Sequence, residues 1–280
     1  LPPGTQVDTT DPDRWTFPQG TRIYKTFLLE GLRIETRVLE KVAAAAGIDS
    51  WTLIAYAWSA DQLSASPADP NGVTDALGTS HDIPAQTQCK SCHQMPELDA
   101  VNGFGAIQLN HRDAGFTLAE LLARGLLVNG VGAPNVSLAA ARLPGDAVAQ
   151  AALGYLHANC GNCHGGPMPR AGFALSSVIG TWRVADASAY RAADECQCLT
   201  RWTGRTDAAD EAYTLRIAPG RAADSAVIAR MSVRGMGEQM PPIGTSVVDT
   251  VAVAAVSAWI DALDPTLCDA ATVCVAPVSM

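Results

Sequence analysis

Charge is scarce in this 280-residue chain: Asp, Glu, Lys and Arg together make up 17% of it. Basic residues are the scarcer sign, 19 Lys and Arg against 28 Asp and Glu, for a formal net charge of -9. A surface of that sign repels a phosphate backbone, which excludes a nucleic-acid-binding protein. The scarcity does not signal disorder, because hydrophobic residues reach 48% and the mean hydropathy is +0.10, values of a globular chain that buries a core. Long apolar runs are missing as well. Residues 43–48 are too few, and residues 247–263 are interrupted by Asp249 and Asp261, so neither stretch is read as a transmembrane segment. The first 20 residues lack a basic start followed by an apolar run, so no signal segment is read there. Beyond alanine-rich stretches there is no low-complexity tract.

What the chain does have is cysteine, eight in all. A chain of this length needs no covalent staple to fold, so the cysteines call for a chemical reason. Four of them fall in Cys89-Lys90-Ser91-Cys92-His93 and Cys160-Gly161-Asn162-Cys163-His164. Both are Cys-X-X-Cys-His, the pattern of covalent c-type haem attachment. Two thiols about one helical turn apart reach the two vinyl groups on one porphyrin edge, and the adjacent imidazole swings under the iron. The bland alternative, a zinc site or a pair of redox dithiols, requires Cys-X-X-Cys pairs about 15–20 residues apart, whereas these begin at 89 and 160. The cofactors expected are two covalently bound haem c groups. Cys89, Cys92, Cys160 and Cys163 attach them, and His93 and His164 are the proximal iron ligands.

The sixth ligand of each iron decides between electron transfer and small-molecule chemistry. For the second haem the candidate is Met240, in Met240-Pro241-Pro242-Ile243-Gly244, where prolines stiffen the loop and the thioether is a natural iron ligand that raises the potential. Met231 and Met236 are its near rivals, and Met168 lies very close to His164 in sequence. A helix starting after an N-cap at Asp146 delivers the second motif, with Leu153, Leu156 and Cys160 on one stripe. Ser246-Val247-Val248-Asp249 reads as a capping box opening another helix, along which Val248, Val251, Ala252, Ala255, Trp259 and Leu263 recur at helical spacing before Asp264-Pro265.

The first haem has no equivalent methionine. Met95 is two residues from His93, and no Met or His stands between the helix-like residues 118–127 and Pro144. His111 is the favoured ligand, with His157 and His81, an open position or a neighbouring molecule's histidine as alternatives. A histidine there would lower the first potential relative to a Met-ligated haem and make the pair a downhill step.

The order of helix, motif, Met-Pro loop and final helix resembles class I cytochrome c domains, carried by Tyr155-Leu156-His157-Ala158-Asn159-Cys160, Met240-Pro241-Pro242 and Trp259-Ile260. The chain is similar to bacterial secreted cytochromes that place a motif like Pro219-Gly220-Arg221-Ala222-Ala223-Asp224-Ser225 ahead of the Met loop. Phe17-Pro18-Gln19-Gly20-Thr21, Glu35-Thr36-Arg37 and Ile83-Pro84 extend that likeness over nearly the whole chain.

Residues 21–29, 32–42 and 51–58 are rich in Thr, Ile, Val, Tyr and Trp and are punctuated by Gly31 and Gly47, which predicts an antiparallel sheet. Partial alternation in 33–39 suggests that this strand has one wet face. The fold class expected is α+β: an N-terminal antiparallel β-rich domain over 1–80, then two mainly α-helical cytochrome c-like haem modules over 81–145 and 146–280. The second module carries an insertion at 166–235. Residues 67–79 read as a loop or linker. Cys196, Cys198, Cys268 and Cys274 remain, an even number suited to disulfides in an oxidising compartment, with three possible connectivities. Residue 1 is leucine, not a cysteine that could carry a lipid. The location expected is therefore periplasmic or extracellular.

The function expected is electron transfer by a dihaem relay rather than enzymatic catalysis, with redox proteins as partners. Self-assembly of copies into a filament is a structural variant. A dihaem peroxidase is an alternative, although its motifs are usually farther apart and no distal acid or base is evident. So is the cytochrome subunit of a larger dehydrogenase. The acidic surface suggests basic partners and salt-sensitive association.

Overall fold

The computed structural model describes residues 1–93, 99, 101–111, 116–130, 132–134, 136–143, 145–164, 216–235, 237–242 and 245–265, with residues 90–92 described by backbone alone. The protein is α+β, and its chain divides into two compact units, Leu1–Arg142 and Leu143–Met280. Among the described residues no helix is long and apolar enough to cross a membrane.

In the first unit, β1 (Val7–Asp8) precedes a four-stranded antiparallel sheet made of β2 (Arg22–Leu29), β3 (Leu32–Lys41), β4 (Trp51–Trp58) and β5 (Ala65–Pro67), in that order. The three long strands lie where β-branched and aromatic residues predict them. Glu30 and Gly31, both at positive φ (51° and 83°), form the two-residue β2–β3 turn that matches the twist of the flanking strands. Residues 67–79 lead through a short 3₁₀ turn to an antiparallel bridge between Val73 and Ile83. Gly72 is required here, because at φ 94° a Cβ would sit 2.7 Å from the Ile83 carbonyl oxygen.

Beyond this bridge comes α1 (Gln86–His93), then α2 (Ala106–Leu109) and α3 (Leu118–Ala123). Thr117 and Glu120 close a capping box at the start of α3. The helix expected over 118–127 stops early: Gly125 turns the chain at φ 63°, and β6 (Leu127–Val128) pairs in parallel with β1. Residues 1–80 and 81–142 therefore share one unit. Trp15, Phe17, Trp51 and Phe104 pack edge to face across it.

In the second unit, α4 (Ala147–Asn159) begins at Asp146, whose carboxylate accepts the Ala149 N–H. After α5 (Ala226–Met231), α6 (Thr250–Asp261) begins at Asp249, which accepts the Ala252 N–H. Asp249 is thus itself the N-cap, not the closing member of a box begun by Ser246. Ala152, Leu153 and Leu156 of α4 pack with Ala252, Val256, Trp259 and Ile260 of α6 in one buried cluster. Ile217, Ala222 and Met231 belong to the same cluster, so the C-terminal part of the expected insertion is core. The Pro219–Ser225 motif explains how it gets there. Gly220 donates to the Ile260 carbonyl, Ala222 N–H donates to the Asp261 carboxylate, and Ser225 Oγ accepts the Ala218 N–H, which folds residues 218–225 onto the end of α6.

Candidate haem-attachment sites

Each Cys-X-X-Cys-His motif sits at the C-terminal end of a helix, where the last turn sets the spacing of thiols and imidazole. The first lies within α1, which ends at His93. That helix is held against β4 by the Gln86 amide, 3.4 Å from the Leu53 carbonyl, and its start by Gln86 N–H on the Pro70 carbonyl. Cys89 is half-buried, and burial raises its thiol above the ordinary value, with Arg37 pulling the other way and Glu35 adding to the rise. Cys92 lies on the same helix.

Beneath this motif the sheet carries a polar cluster that the sequence reading missed. Glu35 is fully buried, contrary to the expectation of a wet face for that stretch of strand. Its carboxylate accepts Arg37 Nε at 2.6 Å and Nη2 at 3.0 Å, and it bonds His81 Nε2 at 2.8 Å. These partners offset the cost of burying the charge. The His81 ring also packs on Phe27, with centroids 5.3 Å apart. Of the three histidines weighed for the first iron, His81 therefore has its Nε2 engaged by Glu35.

His111 follows α2 by two residues in the same unit as His93. It is half-buried, and its buried Nδ1 has no hydrogen-bond partner among the described residues. A buried imidazole nitrogen without a partner is costly. His157 instead lies in the second unit on the packed face of α4. Burial pushes its imidazole down to about 4, so it is neutral at pH 7.

Asp99, six residues beyond His93, is held against the sheet. Its carboxylate accepts Lys41 Nζ at 2.7 and 2.8 Å, the Trp51 indole N–H at 3.0 Å and the Phe17 backbone N–H at 2.7 Å. No motif signals this buried pair. A lone Lys at a strand end and an Asp outside any pattern are, in sequence, indistinguishable from solvated charges.

The second motif continues directly from α4. Cys160 N–H bonds the Leu156 carbonyl, and the N–H groups of Cys163 and His164 both return to the Cys160 carbonyl, at 3.1 and 2.8 Å. One turn thus carries both thiols and the imidazole. Burial, with help from nearby Cys163, pushes the Cys160 thiol up to about 11, so it stays protonated at pH 7.

Met240 is half-buried in a loop tied from several sides. Its N–H donates to the Arg230 carbonyl at 3.0 Å, and its bond to Pro241 is cis. Gln239 accepts the Gly235 N–H and donates to the Pro241 carbonyl, while Arg234 donates to Thr245 Oγ1 and to the carbonyls of Met231 and Val233. The Tyr155 hydroxyl is raised by burial and by the charges of Asp249 and Cys160, and lowered by Arg234. Tyr155 packs against the same buried cluster as Cys160. Of the two rivals, Met231 is committed to the core.

Met95, Met168, Met236 and the four cysteines at 196, 198, 268 and 274 lie outside the described residues. Among the described residues no group of three or more His, Cys, Asp or Glu is placed to hold a metal ion. A haem iron takes at most two protein ligands, so a group of three is not what haem attachment would require. No family model, curated protein or solved structure matches the chain.

Proposed function

We propose that the chain is a dihaem c-type cytochrome that relays electrons. The observation that carries this reading is the second motif: Cys160, Cys163 and His164 share one turn at the end of a helix packed in the core. Cys160 and Cys163 would hold one haem, with His164 and Met240 as axial ligands. Cys89 and Cys92 would hold the other, with His93 on one side and His111 on the other.

Bound haem supplies a reversible one-electron change at iron, and the protein's part is to set how readily it occurs. A thioether at Met240 raises one potential, and an imidazole at His111 lowers the other. Unequal potentials in one chain favour transfer in one direction. The two helical haem modules and the export that covalent haem attachment implies belong to this same proposal.

Spectroscopic redox titration, combined with a pyridine haemochrome count, tests it. The expected result is two low-spin haems per chain with distinct potentials. One haem per chain, or a high-spin majority, overturns it.

A further inference from the structure

Lys25 stands directly opposite Arg37 across β2 and β3, in the register that also pairs Phe27 with Glu35. Directly paired residues share one face of a sheet, so two cations and one carboxylate stand together with Phe27. Both cations lie on the same ring: Lys25 Nζ is 5.0 Å and Arg37 Cζ 4.4 Å from the Phe27 centroid. Like charges in direct opposition destabilise a sheet unless something compensates them. Glu35 hydrogen-bonds Arg37 through Nε and Nη2 and is shared with His81, while its charge also acts on Lys25, so one carboxylate serves two cations. Among the described residues Lys25 forms no ion pair. Its ammonium is pushed below the ordinary lysine value, first by desolvation and then by Arg37, although much of the side chain remains exposed.

The next strand offers this pair nothing polar, since Ala55 and Ala57 of β4 stand opposite Arg37 and Glu35. What does approach is α1, whose Cys89 feels the charges of both Arg37 and Glu35. The face thus carries one positive charge in excess, next to the strand against which α1, the helix that would attach the first haem, is held. A haem carries two propionate carboxylates. An arginine with two of its donors on Glu35 still has N–H groups free for a second planar anion.

We propose that Lys25, with Arg37, binds a propionate carboxylate of the first haem and thereby raises that haem's potential. The proposal rests on the dihaem reading above. Lys25 and Arg37 are positioning residues: they act through the carboxylate and touch neither iron nor thiol.

The test is redox titration of the intact holoprotein, with the second haem's potential as internal reference. Lys25→Gln is expected to shift the first haem's reduction equilibrium about tenfold toward the oxidised form, about 59 mV for a one-electron couple, and Lys25→Arg to restore most of it. Arg22→Gln removes the same charge from the same strand on the opposite face, where Arg22 is paired with Glu40, and is expected to leave the potential in place. Two haems per chain with no shift in Lys25→Gln, or an equal shift in Arg22→Gln, overturns the propionate site and leaves the dihaem reading standing. Fewer than two haems in the wild type overturns both.

Discussion

Lys41 and Asp99 form an ion pair whose side chains are 0% and 1% exposed, with Nζ 2.7 Å from one carboxylate oxygen. Asp99→Ala strands a buried ammonium and also removes the acceptor of the Trp51 indole and the Phe17 N–H. The expected cost is about 3–5 kcal/mol, read as a lowered midpoint of urea unfolding. A Lys41→Met, Asp99→Leu double variant is expected to recover much of that loss, because neither charge is then left alone.

His157 gives the fold an acid sensitivity of known sign. Its imidazole is held at about 4 in the folded protein against 6.5 ordinarily, so the unfolded chain takes up the proton first as pH falls. Stability is undiminished above pH 6.5, declines between 6.5 and about 4, and loses nothing further from this group below that. The total is about 3 kcal/mol. Comparing unfolding midpoints at about pH 7.5 and about pH 4.5, His157→Asn is expected to show a smaller drop than the parent chain; an equal drop removes His157 as the source.

Met240→His is expected to lower the potential of one haem and leave the other where it was, and to abolish the charge-transfer absorption of a ferric thioether complex. Met231→Leu, a conservative change in the core, is expected to keep both. Redox titration and optical spectra of the two variants distinguish the ligand from its neighbour.

His111→Ala is expected to convert one haem to the high-spin form while the haem at His164 stays low-spin. Electron paramagnetic resonance reads this directly. Two low-spin signals in the variant would place the first iron's ligand elsewhere.

Local patterns were legible in the sequence. The strands over 22–29, 32–41 and 51–58 follow their β-branched and aromatic content, and α4 starts where Asp146 marks it. Long-range pairing was not. The parallel contact of Val7–Asp8 with Leu127–Val128 is too short to leave an alternation, and it ends a helix that periodicity would continue. The burial of Glu35 and Lys41 was hidden for another reason. Reading charged residues as wet fails where a partner distant in sequence, His81 or Asp99, makes burial tolerable. At the sites the motif residues were plain, whereas the engagement of His81 by Glu35 depends on a contact across 46 positions that no local pattern encodes.

The anchoring of Asp99 has a mechanical side. His93 ends a helix pinned to β4, and six residues later the chain is locked again by four hydrogen bonds to its carboxylate. Six residues span at most about 20 Å even when fully stretched, so the imidazole of the first motif is on a short leash. Loosening the sheet at Lys41 or Trp51 would slacken that leash, and with haem bound there as proposed, damage to the β-rich half is expected to register as a change of colour.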